Sequence, residues 1–348
     1  MFLNFKMRAF KYIAPFCMFA FAYWSFHSTG LACWAGVLFT FAFVPGIELI
    51  IKPDPSNLAA EEEALVKANV LYDWILYIAF GLQFVSLYFF LQSMQDELVW
   101  SDRLGRIGMM GLLSGIFGIN LAHELGHRSK KAEQFMAKSL LLTSLYMHFF
   151  IEHNKGHHTH VSTPDDPSSA KYKQSVFSFW LQTFPGTLRS AWRIDAQQTM
   201  LFIFIQLSFL AVIGWFFGTL VMGSFMLAAA IGAIQLETVN YIEHYGLSRD
   251  RVESGRYERV KPHHSWNSNH IMGRLLLFEL SRHSDHHYQA SRKYQVLRHQ
   301  EDTPQMPTGY PGMILLALVP PIWFRVMDVQ MKRFDVLPKR NEQLSPSI

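Results

Sequence analysis

Apolar runs of about 20 residues, the length a helix needs to cross a ~30 Å hydrocarbon core, recur along this 348-residue chain. They fall at 9–27, 31–51, 71–93, 105–122, 199–220 and 222–243. Backbone polar groups in lipid must be satisfied internally, which leaves a chain of this kind few options. The expected fold is all-α: a polytopic membrane protein with six transmembrane helices. Composition agrees, with 30 Phe, 9 Trp and only 17% charged residues, too apolar for an ordinary soluble domain. Two further runs fall short. At ~1.5 Å per residue, the run 137–151 reaches only about 22 Å before Glu152 and His153, so it is expected to be partly embedded. The run 311–324 holds Pro311, Pro320 and Pro321 and is too broken to span.

Six spans place the polar segments. With the N-terminus on one side, the fourth span returns to that side at His123 and His127. The segment His153 to His160 stays there if 137–151 does not cross. The sixth span comes back just before His244, and the later histidines follow. Every cluster therefore meets at one face. Of the 31 Lys and Arg, the far side holds only Arg103 and Arg106, so the positive-inside rule makes the histidine face cytoplasmic. Lys6, Arg8 and Lys11 ahead of an apolar run also fit a cleaved signal peptide, but losing one span would scatter the histidines across both faces.

The histidines carry the chemistry; there are 16. His123 and His127 stand one helical turn apart and share a face, so they can share one metal. His153 and His157 repeat that spacing, with His158 turned aside. His244 closes the sixth span. His283, His286 and His287 form the last cluster. Adjacent histidines that both ligate are expected to serve different ions. Nine imidazoles exceed what one ion takes and suit two, forming a histidine-rich di-metal cap. Imidazole serves zinc, copper, iron and nickel alike, so spacing alone leaves the metal open. Glu124, Glu152, Glu243 and Asp285 neighbour these residues and are expected to accept the outward N–H of ligating rings, which fixes tautomer and orientation. His264 and His270 are the strongest of the remaining candidates for ligation.

Other functions are excluded. A net charge of +4 with no basic run interleaved with aromatics argues against nucleic-acid binding. Cys17 and Cys33, the two cysteines, cannot build a disulfide framework or a thiolate metal site. An ion transporter would spread its ionisable groups through the membrane depth, whereas here they gather at one face.

The segments HELGHR at 123–128, EHNKGHH at 152–158 with TPDDPSS at 163–169, NYIEHYGL at 240–247, KPHHSWNSNH at 261–270 and LSRHSDHH at 280–287 resemble the membrane-bound alkane monooxygenases of the desaturase-like di-iron superfamily. PTGYPG at 307–312 extends the likeness, and the NYIEHYG block is its most specific piece. Glu48 stands where that family usually has Asp, and the segment 185–199 is short for it. The resemblance implies two iron ions held by His123, His127, His153, His157, His158, His244, His283, His286 and His287. It implies terminal hydroxylation of medium- or long-chain n-alkanes to 1-alkanols, using O₂ and electrons from rubredoxin and its reductase. It also implies a multi-pass protein of the cell inner membrane, its N-terminus and active site cytoplasmic. Residues 1–348 are expected to form one domain with no fused rubredoxin. The alternative is a related di-iron oxidase acting on fatty acyl chains or alkylbenzenes. Trp34 and Thr40, in the second span, are the candidates for setting chain length. An acidic rubredoxin would dock on Lys130, Lys131, Lys171, Lys173, Arg249 and Arg251.

Overall fold

The computed structural model describes residues 8–337; Lys6 and the extreme N-terminus lie outside them. Among the described residues the chain is helical, with no strand and two isolated bridges, between Arg251 and Tyr257 and between Asn267 and Gln305. Five helices are long and apolar enough to cross a membrane: Gly30–Glu48, Leu71–Ser93, Trp100–Gly126, Ala196–Phe217 and Thr219–His244. We label α1 Cys17–Phe26 and α2 Gly30–Glu48. Helix α3 is Ala60–Ala68, α4 Leu71–Ser93 and α5 Trp100–Gly126. The run expected as the first span forms a tight turn at Lys11–Phe16, with Pro15 inside it, leading into the ten residues of α1. It is therefore not among the five long helices.

Its ends nonetheless show its course. Tyr12 donates to Glu279 at the histidine end of the bundle, whereas Phe26 packs on Phe90 near the other end. Helix α5 is the central element and α4, α1 and α2 pack around it. At the far end Arg106 donates to the carbonyls of Ser93 and Ser28, tying three helix ends together where unpaired carbonyls in lipid would be costly.

The run expected to be partly embedded is not one long helix. It is split between α6, Lys131–Leu142, and α7, residues 149–160, with Leu145 in the left-handed region at φ 50° between them. Helix α8, Val176–Ile194, then leads into α9, Ala196–Phe217, and α10, Thr219–His244. Only 11% of the α9 window is buried, so most of this helix points away from the rest of the chain. The C-terminal apolar run is broken as its prolines predict. Following α11, Ile271–Leu276, and α12, His283–Tyr288, it forms α13, Tyr310–Ala317, and α14, Pro320–Arg333.

Candidate metal centre

Two of the long helices deliver histidines at their last turns. Helix α5 ends in His123 and Glu124, one turn beyond a wider π-helical stretch, Ser114–Asn120. Helix α10 ends at His244 because Tyr245 leaves the helical region and Gly246 takes φ 71°, a left-handed stop that glycine adopts without strain. The loop at 261–270 is fastened on that end: Trp266 donates its backbone N–H to Glu243 O and its indole N–H to Tyr245 O, 2.8 and 2.9 Å away. Asn267 and Ser265 in turn bind Ser284, which sets α12 and its three histidines over the centre.

The nine imidazoles fall into two groups. His123, His127, His153, His158 and His286 form one, and His157, His244, His283 and His287 the other; within each, candidate ligand atoms lie within 4.8 Å of one another. The pairing foreseen for His153 and His157 does not form. Residues His153–His157 adopt a π turn, whose i→i+5 repeat brings His158 edge-on to His153 instead, Nε2 to Nε2 at 3.1 Å. His157 turns into the other group. The adjacent pairs do divide: His158 from His157, and His286 from His287.

These groups fit metal ions. In the larger group, Nε2 of His286 stands 2.9 Å from that of His123 and 3.1 Å from that of His158. His153 Nε2 is 3.1 Å from both His127 and His158. Two nitrogens bound to one ion at about 2.1 Å and at right angles to each other lie roughly 3 Å apart. Hydrogen bonds cannot satisfy the cluster, since each neutral ring has one N–H and the middle members face two neighbours. In the smaller group, His157 Nε2 and His287 Nε2 are buried with no hydrogen-bond partner, as expected of lone pairs directed at a cation. Burial, reinforced by neighbouring imidazoles, pushes His153, His158, His283, His286 and His287 well below the usual histidine range. Burial takes His127 down to about 4. All six are thus held in the neutral form that ligates.

The acids behave less uniformly than expected. Glu243 Oε1 lies 3.2 Å from His283 Nδ1, off line for a hydrogen bond, and accepts 2.6 Å from Tyr310 Oη. Glu124 turns from the imidazoles to the Arg128 guanidinium, 2.5 Å away. Asp285 receives Arg292, the Arg298 amide and Gln300, and so anchors the following loop rather than a ring. Glu152 is buried with Oε1 unpartnered. The acid that does hold a ring is Asp166, which sequence reasoning left without a role although it lies in the TPDDPSS motif. Its Oδ2 is 2.9 Å from His157 Nδ1 and accepts from Ser169. Burial would lower His157, but Asp166 reverses this and raises it to about 9.

His264 and His270 stay outside both groups. His264 Nδ1 accepts the Lys261 amide and its Nε2 sits 3.2 Å from Glu258; His270 Nδ1 pairs with Ser268 at 3.0 Å. His264, His263 and Glu258 form a third, smaller cluster, but the Lys261 ammonium already occupies Glu258.

Beneath the centre runs a narrow apolar cavity lined by Thr40 and Phe41 of α2, Asn120 of α5, Val239 of α10, Leu277 and Tyr310 among others. Thr40, one of the two chain-length candidates, is part of this lining. Trp34 is not: its indole lies against Gly105, outside the cavity lining.

This geometry, two all-imidazole groups at one end of an apolar helical bundle, defines a class. Residues 106–317 match the family model described as fatty acid desaturase, and the chain is an integral membrane protein of that family. Within it the chain belongs with the alkane 1-monooxygenases. It is 44% identical over 253 residues to alkane 1-monooxygenase 1 of Pseudomonas aeruginosa, covering 69% of this chain and 66% of that one, just under two thirds. It is 36% identical over 319 residues to alkane 1-monooxygenase 2 of Alcanivorax borkumensis, covering 86% and 84%. With the alkane 1-monooxygenase of Pseudomonas putida the identity is 36% over 326 residues, covering 87% and 77%.

Proposed function

We propose that this chain hydroxylates the terminal carbon of medium- or long-chain n-alkanes to 1-alkanols at a di-iron centre held by the nine histidines. The observation that carries this is an apolar cavity whose lining reaches to within one helical turn of the imidazole groups. Asn120 lines that cavity one turn before His123, and Tyr310 lines it while donating to Glu243 beside His283. The balanced reaction is RH + O₂ + 2 e⁻ + 2 H⁺ → ROH + H₂O. Zinc has no redox chemistry and no side chain oxidises an unactivated C–H bond, so the centre must be redox-active; the resemblance to the di-iron alkane monooxygenases assigns two irons, which would supply two-electron activation of O₂. The protein supplies position. The apolar walls bind the chain and exclude water, and Thr40 meets its length. Asp166 holds His157, and the Trp266 and Ser284 fastenings hold α10 and α12 in register.

The cavity lining carries no charged side chain. That favours a plain alkane over a fatty acyl chain, whose polar head would want a partner. Residues 1–348 act as one membrane domain in this reading, embedded in the inner membrane with the histidine face cytoplasmic. Electrons come from a rubredoxin, itself reduced by its reductase, docking on that face. Lys130, Lys131, Lys171 and Arg251 are exposed there, whereas Lys173 is committed to Asp328 and Arg249 to Thr159 O. The test is metal analysis of purified protein, with gas chromatography of products formed with rubredoxin, reductase and an n-alkane series. Two irons per chain and O₂-dependent 1-alkanol are expected. Zinc alone, or no alcohol from any alkane, sinks the reading.

A further inference from the structure

The cavity wall opposite α5 and α10 is assembled from three segments far apart in sequence: α2, the stretch that follows α11, and α13. Thr40 and Phe41 come from the first, Leu277 from the second, Tyr310 and Ile314 from the third. One side chain joins all three. Glu48, the last residue of α2, is 4% exposed, and its Oε1 accepts the backbone N–H of Gly273 in α11 at 2.7 Å. The other half of the carboxylate is pressed on Gly309, immediately ahead of α13. A Cβ built there would come within 2.0 Å of Glu48 Oε2, so only glycine leaves room. That oxygen is buried with no hydrogen-bond partner. An unsatisfied buried carboxylate oxygen is costly, so this placement persists because the surrounding structure holds it.

We propose that Glu48 is a positioning residue that sets the width of the substrate cavity. Its carboxylate clamps the end of α2 to the start of α13 and to α11, and thereby fixes how far Thr40 stands from Tyr310 and Leu277 across the slot. The inference rests on the alkane reading of that cavity and adds the residue that calibrates it. Glu48 touches neither the histidines nor the cavity surface, so its effect on products passes through the wall. A chain held loosely presents methylene groups as well as its methyl group to the centre. The clamp therefore controls where along the chain oxygen is inserted.

The test uses full-length protein in membranes, with wild-type activity on n-alkanes measured first. Glu48→Gln keeps the size and one acceptor oxygen, while Gly309→Ala leaves Glu48 intact and displaces its carboxylate. Both are expected to raise KM for alkane several-fold and to raise the ratio of 2-alkanol to 1-alkanol at least threefold. Bound metal per chain should be unchanged, and the rise in Tm caused by added alkane should shrink. Wild-type product ratio and KM in both variants overturn the proposal. So does activity lost in proportion to bound metal with an unchanged ratio, which would make Glu48 merely structural. If wild-type protein makes no alcohol, the alkane reading itself falls, a result distinct from either variant outcome.

Discussion

Asp166 Oδ2 stands 2.9 Å from His157 Nδ1, both side chains buried, and this contact orients the first imidazole of the smaller group. Carboxylates so placed fix tautomer and ring orientation, and their loss typically costs 10–100-fold in metal affinity. Asp166→Asn is therefore expected to weaken one of two ions by about that factor, leaving the other in place. Competition with a chelator of known affinity, followed by metal counting, checks it. Both ions weakening equally would contradict the division into two groups.

The division itself predicts an asymmetry. His158→Ala removes a member of the five-ring group and His157→Ala a member of the four-ring group, although the residues are adjacent. The smaller group has less to spare. We expect His157→Ala to lose its ion, giving about one metal per chain, while His158→Ala retains both with reduced turnover. Glu124→Gln, which faces Arg128 rather than a ring, should keep both ions as well. Elemental analysis against protein concentration decides, and full loss in His158→Ala with none in His157→Ala reverses the assignment.

Thr40 lines the cavity with its hydroxyl against Met18 Sδ at 3.9 Å. Thr40→Trp adds an indole to a slot with little spare width. Longer alkanes should fall at least tenfold in conversion while the shortest accepted ones are little changed. Gas chromatography across a chain-length series reads this directly, and Trp34→Ala, outside the lining, should leave the profile as it was.

Glu279 is the anchor of the histidine end of the bundle. It accepts from Arg274 at 2.6 Å, Lys11 at 2.9 Å and Tyr12 at 2.8 Å. Burial would raise its carboxyl, but Arg274 and Lys11 hold it down to about 2. Its folded-state value is below the unfolded one near ~4.3, so its stabilisation is present above that pH. It is lost as the pH falls towards about 2. Glu279→Gln leaves buried cations unpaired and should cost about 3–5 kcal/mol at neutral pH. The variant's thermal stability should also depend less on pH across that acidic window. Parallel slopes of wild type and variant would show that Glu279 does not titrate there.

Docking of an acidic rubredoxin through exposed lysines and arginines should weaken with salt, as surface charges are screened beyond about 8 Å at physiological ionic strength. Rubredoxin-supported turnover is expected to drop several-fold from low to high salt, with alkane KM unaffected. Equal rates across that range would assign recognition to apolar contact.

Much of this was legible in the sequence because length and parity are robust. Helices Leu71–Ser93 and Thr219–His244 lie almost where the apolar runs placed them, and the nine histidines gather in two groups at one end. What spacing could not convey was the local helical pitch. The π turn at His153–His157 exchanges the partners that an α-helical wheel assigns. Side-chain contacts within the turns were equally hidden. Asp166 reaches His157 only because the chain turns back after His160, and Arg128 and Arg292 claim Glu124 and Asp285, the acids expected to accept from the rings. The first apolar run misled in the other direction, since hydropathy does not register the tight turn around Pro15.

The two neighbouring pairs, His157 with His158 and His286 with His287, each hand one ring to either group. A single peptide bond therefore spans the two ion positions in two separate places. Rings of each group stand one residue from rings of the other before any ion arrives. The spacing between the two ion positions is thus set by covalent links that the loss of either ion would leave unbroken.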